Sequence, residues 1–131
     1  TKDRLIGFRF SYWFDEPQRG DIILFSYPVD EKQTYIKRVI GLPGETIQII
    51  DGMIYINGSV YLETQGFPQM ENAGMAAQEI TLGEDEYFVL GDNRNQSEDS
   101  RFADMGNVKL EDIEGKVWAV LSPSDHRGLV K

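Results

Sequence analysis

The chain has 131 residues, a length that suits one domain and allows a sizeable hydrophobic core. Hydrophobic residues make up 40% and charged residues 27%, a balance typical of globular proteins. The formal net charge of −9 argues against a nucleic-acid partner, because phosphate binding needs clustered Lys and Arg. The lack of cysteine excludes a disulfide scaffold, a thiol nucleophile and a cysteine-based zinc site.

The N-terminal segment is rich in aromatic residues. Phe8, Phe10 and Tyr12 alternate, which favours the inward face of a strand. Trp13 and Phe14 break this alternation, and we expect them to form an apolar edge that contacts a membrane surface. No apolar run approaches the roughly 18–20 residues that are needed to span a bilayer.

Two strands are predicted next. The stretch from Asp21 to Tyr27 is apolar on both faces, which indicates a central position in a sheet. A short polar connection leads to the stretch from Tyr35 to Ile40, which Gly41 and Pro43 end in a turn. We expect these two strands to form an antiparallel pair.

Lys37 shares one face of its strand with Tyr35 and Val39, because side chains alternate along a strand. If that face is covered, the ammonium group loses hydration and its pKa falls from about 10.4 towards neutrality. A neutral lysine amine can act as a general base. The alternative is a lysine at the end of a strand whose ammonium group extends into water.

A β-meander is predicted after this strand. The stretch from Glu45 to Ile50 is a third strand, and Met53 to Ile56 alternates behind it. The pairs Asp51-Gly52 and Asn57-Gly58 are typical of tight hairpin turns. The last strand of the meander begins at Ser59.

Residues 64–83 form the least regular part of the sequence, and we expect an irregular excursion there. A short helix around Glu71 to Gln78 is possible, although Gly74 weakens it. A strand follows from Glu86 to Leu90.

The C-terminal part adds one helical turn over Val108 to Gly115 and a last strand over Lys116 to Leu121. The only histidine, His126, lies in a polar tail and is interpreted as a surface residue. The total of eight or nine short strands with almost no helix predicts an all-β barrel or folded antiparallel sheets.

The stretch from Gly91 to Arg101 is dense in short polar side chains. Such a run after a strand is usually a solvated loop with side-chain turns. Here it also holds two hydroxyl groups, those of Ser97 and Ser100, and it alternates acids with arginines. A loop of this composition can be held together by charged hydrogen bonds near a second site.

Three stretches resemble sequence boxes of the bacterial type I signal peptidases, which are membrane-anchored serine endopeptidases with a serine–lysine pair. These stretches are Arg19 to Phe25, Tyr35 to Gly44 and Gly91 to Arg101, in the order of the family. The resemblance runs from about Asp3 to Pro123. It implies one extracytoplasmic peptidase domain over 1–131 with a signal-peptidase-type all-β fold, a core over about 3–63 and 84–123, and neither a cofactor nor a metal.

The resemblance also assigns roles to single residues. Lys37 corresponds to the general base, and Ser97 corresponds to the residue whose hydroxyl group positions that lysine. The supporting ion pairs are Asp99 with Arg101 and Asp92 with Arg38, and the residues beside the substrate cleft are Tyr35 and Ile36. The implied partners are preprotein signal peptides with Ala-X-Ala before the cut, and the implied location is the outer side of the cell membrane.

The sequence departs from the family at the nucleophile, because a Ser-Met-X-Pro-type box is absent. Ser11 aligns with a non-catalytic family position and is not a substitute. We therefore expect an excised domain without its anchor and nucleophile, which cannot cleave peptides although its parent protein should.

Three alternatives remain at this point. Self-cleaving repressors of the LexA type use the same residue pair on a related fold, but the loop from Gly91 to Arg101 favours the peptidase. A non-catalytic relative could act as a binding or assembly factor, for instance in pilus building. Lys37 and Ser97 argue against it, since a lysine in an apolar setting costs stability. The third alternative is a plain structural β-domain.

Overall fold

The computed structural model describes residues 8–11, 16–26, 33–63, 66–103 and 105–120. Within these residues the chain forms ten β-strands in two antiparallel sheets, and the helices there are two short 3-10 turns. The predicted all-β class with little helix is thus confirmed. Trp13, Phe14, His126 and the side chain of Ser11 lie outside the described part.

The strands follow the chain in order. They are β1 (Phe8–Ser11), β2 (Ile22–Ser26), β3 (Thr34–Gly41), β4 (Thr46–Ile50), β5 (Met53–Ile56), β6 (Ser59–Tyr61), β7 (Ile80–Thr81), β8 (Glu86–Leu90), β9 (Val108–Lys109) and β10 (Ile113–Val120). Six strands form the larger sheet in the order β1-β10-β2-β3-β8-β9, and four form the smaller sheet in the order β6-β5-β4-β7. The expected antiparallel pair of β2 and β3 is present, with Ile23 opposite Lys37.

The predicted meander is confirmed, and its turns have the backbone that their residues favour. Asp51 and Gly52 both have positive φ, at 51° and 77°, and Asn57 and Gly58 have φ of 52° and 84°. Two successive positive φ values define the tight hairpin turn whose twist matches the flanking strands. The register of β4, β5 and β6 is therefore set locally.

Two predicted helical segments differ from the structure. The expected turn over 108–115 is instead strand β9, a 3-10 turn at Leu110–Asp112, and the start of β10. Gly115 lies inside β10 because this strand pairs with β2, and tertiary pairing outweighs the glycine end signal. The helix suggested around 71–78 is a 3-10 turn over Gly74–Ala77.

The larger sheet is apolar on both faces, as the two successive residues Val39 and Ile40 illustrate. Ile40 belongs to a core between the two sheets, with Ile47 and Ile54 of the smaller sheet. Val39 belongs to a second core on the opposite face, with Ile23. No helix in the described ranges is long and apolar enough to cross a membrane.

Candidate active site

Lys37 lies on β3 at the point where one neighbouring strand ends. On one edge, β2 pairs with β3 along residues 34–38, and on the other edge β8 pairs only from Arg38 onward. After Leu90 the chain leaves the sheet, and the loop 91–101 begins. Residues 34–37 therefore have a strand neighbour on one edge and the loop beyond the other.

The side chain of Lys37 is half-buried on an apolar face. Ile23, its cross-strand partner, and Val39, two residues further along β3, are both fully buried. Burial lowers the pKa of Lys37 below its ordinary value, although the carboxylates of Asp99 and Glu98 oppose this shift. Burial penalises the charged form of an amine, so a larger share of this lysine is neutral than in water.

The amine of Lys37 and the hydroxyl group of Ser97 converge at Gly91. A Cβ atom added to Gly91 would lie 2.6 Å from Ser97 Oγ and 3.2 Å from Lys37 Nζ. A side chain at this position would displace one or both groups, since ordinary Cβ contacts are longer. The lack of a side chain at Gly91 thus allows the amine and the hydroxyl group to face the same small space.

Ser97 is held by a buried ion pair. Its hydroxyl group donates to Asp99 Oδ2 at 2.5 Å, and Arg101 donates to both carboxylate oxygens of Asp99 at 2.9 Å. The backbone N–H of Gly91 also donates to Asp99 Oδ2, at 3.1 Å. Asp99 is fully buried and Arg101 is 1% exposed. One carboxylate therefore links Gly91, Ser97 and Arg101.

A second ion pair joins the strand of Lys37 to the beginning of the loop. Arg38 donates two hydrogen bonds of 2.8 Å to the carboxylate of Asp92 and a third, at 3.1 Å, to the carbonyl oxygen of Gly20. Arg38 is buried, whereas the side chain of Asp92 is 42% exposed. A bidentate pair of this kind fixes direction as well as distance.

Comparison with known proteins places the chain in a family. The family model described as "Signal peptidase, peptidase S26" matches residues 1–122. The chain belongs to the peptidase S26 family of signal peptidases. A crystal structure of a signal peptidase I from Enterococcus faecalis has a TM-score of 0.63 and 39% identity, and the match covers 84% of this chain and 100% of that chain.

Two cyanobacterial S26 proteins are similar to almost the whole chain. A signal peptidase I of Leptolyngbya laminosa is 38% identical, over 98% of this chain and 64% of its own length. A probable signal peptidase I-2 of Synechocystis is 35% identical, over 98% of this chain and 59% of its own length. The chain thus spans about three fifths of the length of these S26 relatives.

The two residues that the resemblance placed beside the substrate cleft of an S26 enzyme lie on β3, next to Lys37. Tyr35 and Ile36 are both half-buried. The phenol of Tyr35 donates to Gln33 Oε1 at 2.6 Å, and Ile36 lies opposite Leu24 of β2. In the described part of the chain, no group of three or more acidic or histidine side chains could hold a metal ion.

Sequence reasoning missed one ion pair of this candidate site. Arg94, which is 1% exposed, donates to both carboxylate oxygens of Glu63 at 2.7 and 2.8 Å. Its Nε also donates to the carbonyl oxygen of Gly91 at 2.8 Å. The density of arginines in the loop was a signal for buried charge, but nothing in the local pattern indicates a partner 31 residues away.

The described part of the predicted excursion, residues 66–83, also contacts the loop of the candidate site. Arg101 Nη1 donates to the carbonyl oxygen of Asn72 at 3.0 Å, and the N–H of Met75 donates to the carbonyl oxygen of Arg101 at 2.7 Å. The N–H of Glu71 donates to Asn95 Oδ1 at 2.9 Å. The segment that is least regular in the sequence thus contacts the loop through residues 71–75.

Proposed function

We propose that this chain is the catalytic domain of a serine endopeptidase that removes N-terminal signal peptides from secreted preproteins. The observation that carries the proposal is the convergence of Lys37 Nζ and Ser97 Oγ at Gly91, on an S26 fold. A half-buried amine with a lowered pKa, beside a hydroxyl group fixed by a buried carboxylate, suits proton transfer.

Lys37 serves as the general base in this mechanism. Its neutral amine takes the proton of a serine hydroxyl group as the serine oxygen attacks the scissile carbonyl carbon, which gives an acyl-enzyme. The resulting ammonium group returns the proton to the leaving amine, and water then hydrolyses the ester. The nucleophile is the serine of the family's Ser-Met-X-Pro-type box, which the 131 residues do not contain. We propose that this polypeptide alone does not cleave peptides.

The remaining site residues orient Lys37. The hydroxyl group of Ser97 donates its proton to Asp99, so its oxygen is left to accept a hydrogen bond from the amine of Lys37, and Asp99 with Arg101 fixes the Ser97 rotamer. The pair of Arg38 with Asp92 holds the loop against β3. Such supporting contacts keep a catalytic group within the small range of geometries in which proton transfer is efficient.

The edge of β3 opposite β2 suits the substrate. The pairing of β3 with β8 begins at Arg38, and an extended signal peptide is proposed to lie along β3 on the N-terminal side of that pairing, as a further strand. Tyr35 and Ile36 then flank the peptide, whose Ala-X-Ala residues bring only small side chains against this strand.

The proposal includes a location. Signal peptides are cut where preproteins leave the membrane, so the domain faces the outer side of the cell membrane and needs no cofactor. Contact with the membrane surface through Trp13 and Phe14 is part of the proposal, and both residues lie outside the described part.

The test combines binding, titration and cleavage. An Ala-X-Ala signal peptide added to the ¹⁵N-labelled 131-residue protein is expected to shift the amide signals of 34–37 without being cut. The side-chain NMR signals of Lys37 are expected to titrate below about pH 10.4. In the full-length gene product, Lys37→Met is expected to abolish cleavage, whereas Lys109→Met, an exposed control on β9, leaves it unchanged.

Two results would contradict the proposal. If Lys37 titrates at its ordinary pKa, or if the Lys37→Met protein cleaves at the wild-type rate, Lys37 is not the general base. A full-length product that binds the peptide and never cuts it would instead favour the binding or assembly factor.

A further inference from the structure

The ring of Phe67 contacts two guanidinium groups of the candidate site. Arg94 Cζ is 4.1 Å from the centre of the ring, and Arg38 Cζ is 5.3 Å from it. The negative face of an aromatic ring attracts a guanidinium cation within about 6 Å, so both contacts are favourable. Phe67 belongs to the excursion and is itself half-buried.

Each of the two arginines is also bound by a carboxylate. Arg38 is bound in bidentate fashion by Asp92, and Arg94 by Glu63. Both arginines are almost completely buried, at 4% and 1% exposure. A cation–π contact is stronger when the cation is desolvated, and here the aromatic ring is the shared contact of two such cations.

The two arginines connect Phe67 with two different parts of the site around Lys37. Arg38 is the next residue along β3, so its position fixes the strand that carries the amine. Arg94 Nε donates to the carbonyl oxygen of Gly91, where the hydroxyl group of Ser97 meets that amine. The ring therefore connects the strand of Lys37 with the first residues of the loop.

We propose that Phe67 is a positioning residue of the peptidase site, which clamps the Gly91–Asp92 segment against β3 through Arg94 and Arg38. This inference rests on the proposed role of Lys37. Loss of the ring removes the contact that the two guanidinium groups share. The loop is then held less firmly against β3 and opens more often. Water then reaches the amine, and Ser97 no longer faces it steadily.

The charged groups around Lys37 set the direction of the expected titration change. They are the carboxylates of Asp92, Glu98 and Asp99 and the guanidinium group of Arg101. Burial lowers the pKa of Lys37, and these three carboxylates raise it. A more open loop weakens the burial, so the pKa of Lys37 moves up towards its ordinary value.

The experiment compares Phe67→Leu with Phe67→Tyr in the 131-residue protein. Leucine keeps apolar volume but has no aromatic face, whereas tyrosine keeps the face. We expect Phe67→Leu to speed hydrogen exchange of the Gly91 amide about tenfold and to raise the titration midpoint of Lys37. Phe67→Tyr should match the wild type in both. The N–H of Val39 donates a hydrogen bond of 2.8 Å to the carbonyl oxygen of Asp21, and its exchange reports global opening. The exchange rate of this amide should change less than that of the Gly91 amide.

Tyr55→Leu is the matched control. Tyr55 is another half-buried aromatic residue, on β5 of the smaller sheet, where it lies opposite Gln48 and Val60. Its loss should leave the exchange of the Gly91 amide and the titration of Lys37 unchanged. An aromatic side chain of the smaller sheet thus separates positioning from general packing.

The outcomes also separate this inference from the proposed function. Phe67 is not a positioning residue if Phe67→Leu leaves the exchange rate of the Gly91 amide and the titration midpoint of Lys37 unchanged. The same conclusion holds if the variant accelerates exchange of the Val39 amide as much as that of the Gly91 amide. If wild-type Lys37 titrates at its ordinary pKa, the proposed base is wrong. In that case faster Gly91 exchange in Phe67→Leu still supports the clamp.

Discussion

At the scale of single residues, Asp99 is the carboxylate on which the loop geometry depends. Burial raises the pKa of Asp99, but hydrogen bonds from Arg101, Ser97 and the Gly91 N–H lower it more, and the net result is a pKa below the ordinary value. Such a carboxylate stabilises the fold above the unfolded-state pKa of about 3.9. That contribution is lost as the pH falls through the native pKa.

We expect Asp99→Asn to lower the free energy of unfolding by about 3–5 kcal/mol at pH 7, because it leaves the buried guanidinium group of Arg101 without its charge partner. The difference from wild type should begin to narrow below about pH 4, where the carboxylate of the unfolded wild type takes up a proton, and it should level off below the lowered native pKa. Urea unfolding at a series of pH values measures both effects. Glu98→Gln, an exposed neighbour, is the control and should unfold like the wild type. If the difference in free energy of unfolding between Asp99→Asn and the wild type stays constant in acid, Asp99 and Arg101 do not form an ionised buried pair.

The residues of the site divide into those that local pattern predicts and those that it does not. Alternation along β3 placed Lys37 beside buried Val39, and half-burial of the lysine agrees with that pattern. The space at Gly91 was not predictable, because it depends on how the loop folds back over the end of β8. The contacts of Arg94 with Glu63 and Phe67 likewise join distant parts of the chain, and local sequence carries no signal for such pairs.

At the scale of elements, the excursion packs against the loop that ends at Arg101. Gly74 has a φ of +57°, and a Cβ atom there would lie 2.9 Å from the carbonyl carbon of Arg101. Gly66, in the same excursion, has a φ of +71°, and among the described residues other than its chain neighbours no heavy atom lies within 4 Å of its Cβ position. A side chain would therefore strain the backbone at both glycines, but only at Gly74 would it also collide with the loop.

We expect Gly74→Ala to destabilise the protein more than Gly66→Ala. Both variants incur the left-handed backbone cost of about 1–2 kcal/mol, and Gly74→Ala adds roughly 1–3 kcal/mol because it pushes the excursion off Arg101. Urea unfolding of the two variants gives the difference, and exchange of the Met75 amide, which is bonded to Arg101, reports the local displacement. Equal losses in the two variants would mean that the excursion does not rest on the loop.

The elements themselves were predictable where their signals are local. The hairpins at Asp51-Gly52 and Asn57-Gly58 follow from the turn residues alone, and the structure has both. Strands β7 and β9 have two residues each and exist only because β4 and β8 pair with them, so no periodicity in the sequence indicates them. For the same reason the chain has ten strands in its described part, not eight or nine.

At the scale of the whole molecule, one core joins the two sheets. Ile40 and Phe88 of the larger sheet pack with Ile47 and Ile54 of the smaller sheet, and all four are buried. A shared core of this kind gives the sheets a common free energy of unfolding, because neither can expose its face without exposing the other. The loop that carries Ser97 then depends on both sheets, since β8 leads into it.

We expect Ile54→Ala to destabilise both sheets together by about 2–5 kcal/mol, although the residue lies on the smaller one. Hydrogen exchange at one amide of each sheet measures the loss of stability. In the smaller sheet the N–H of Asn57 donates to the carbonyl oxygen of Thr46, and in the larger sheet the amide is that of Val39. Both should accelerate by the same factor, because both exchange through the same global opening. Val60→Ala, at a position 45% exposed on β6, is the control and should cost less than about 0.5 kcal/mol. Acceleration of Asn57 alone would show that the smaller sheet opens independently, and the site on β3 and the loop would then not depend on it for stability.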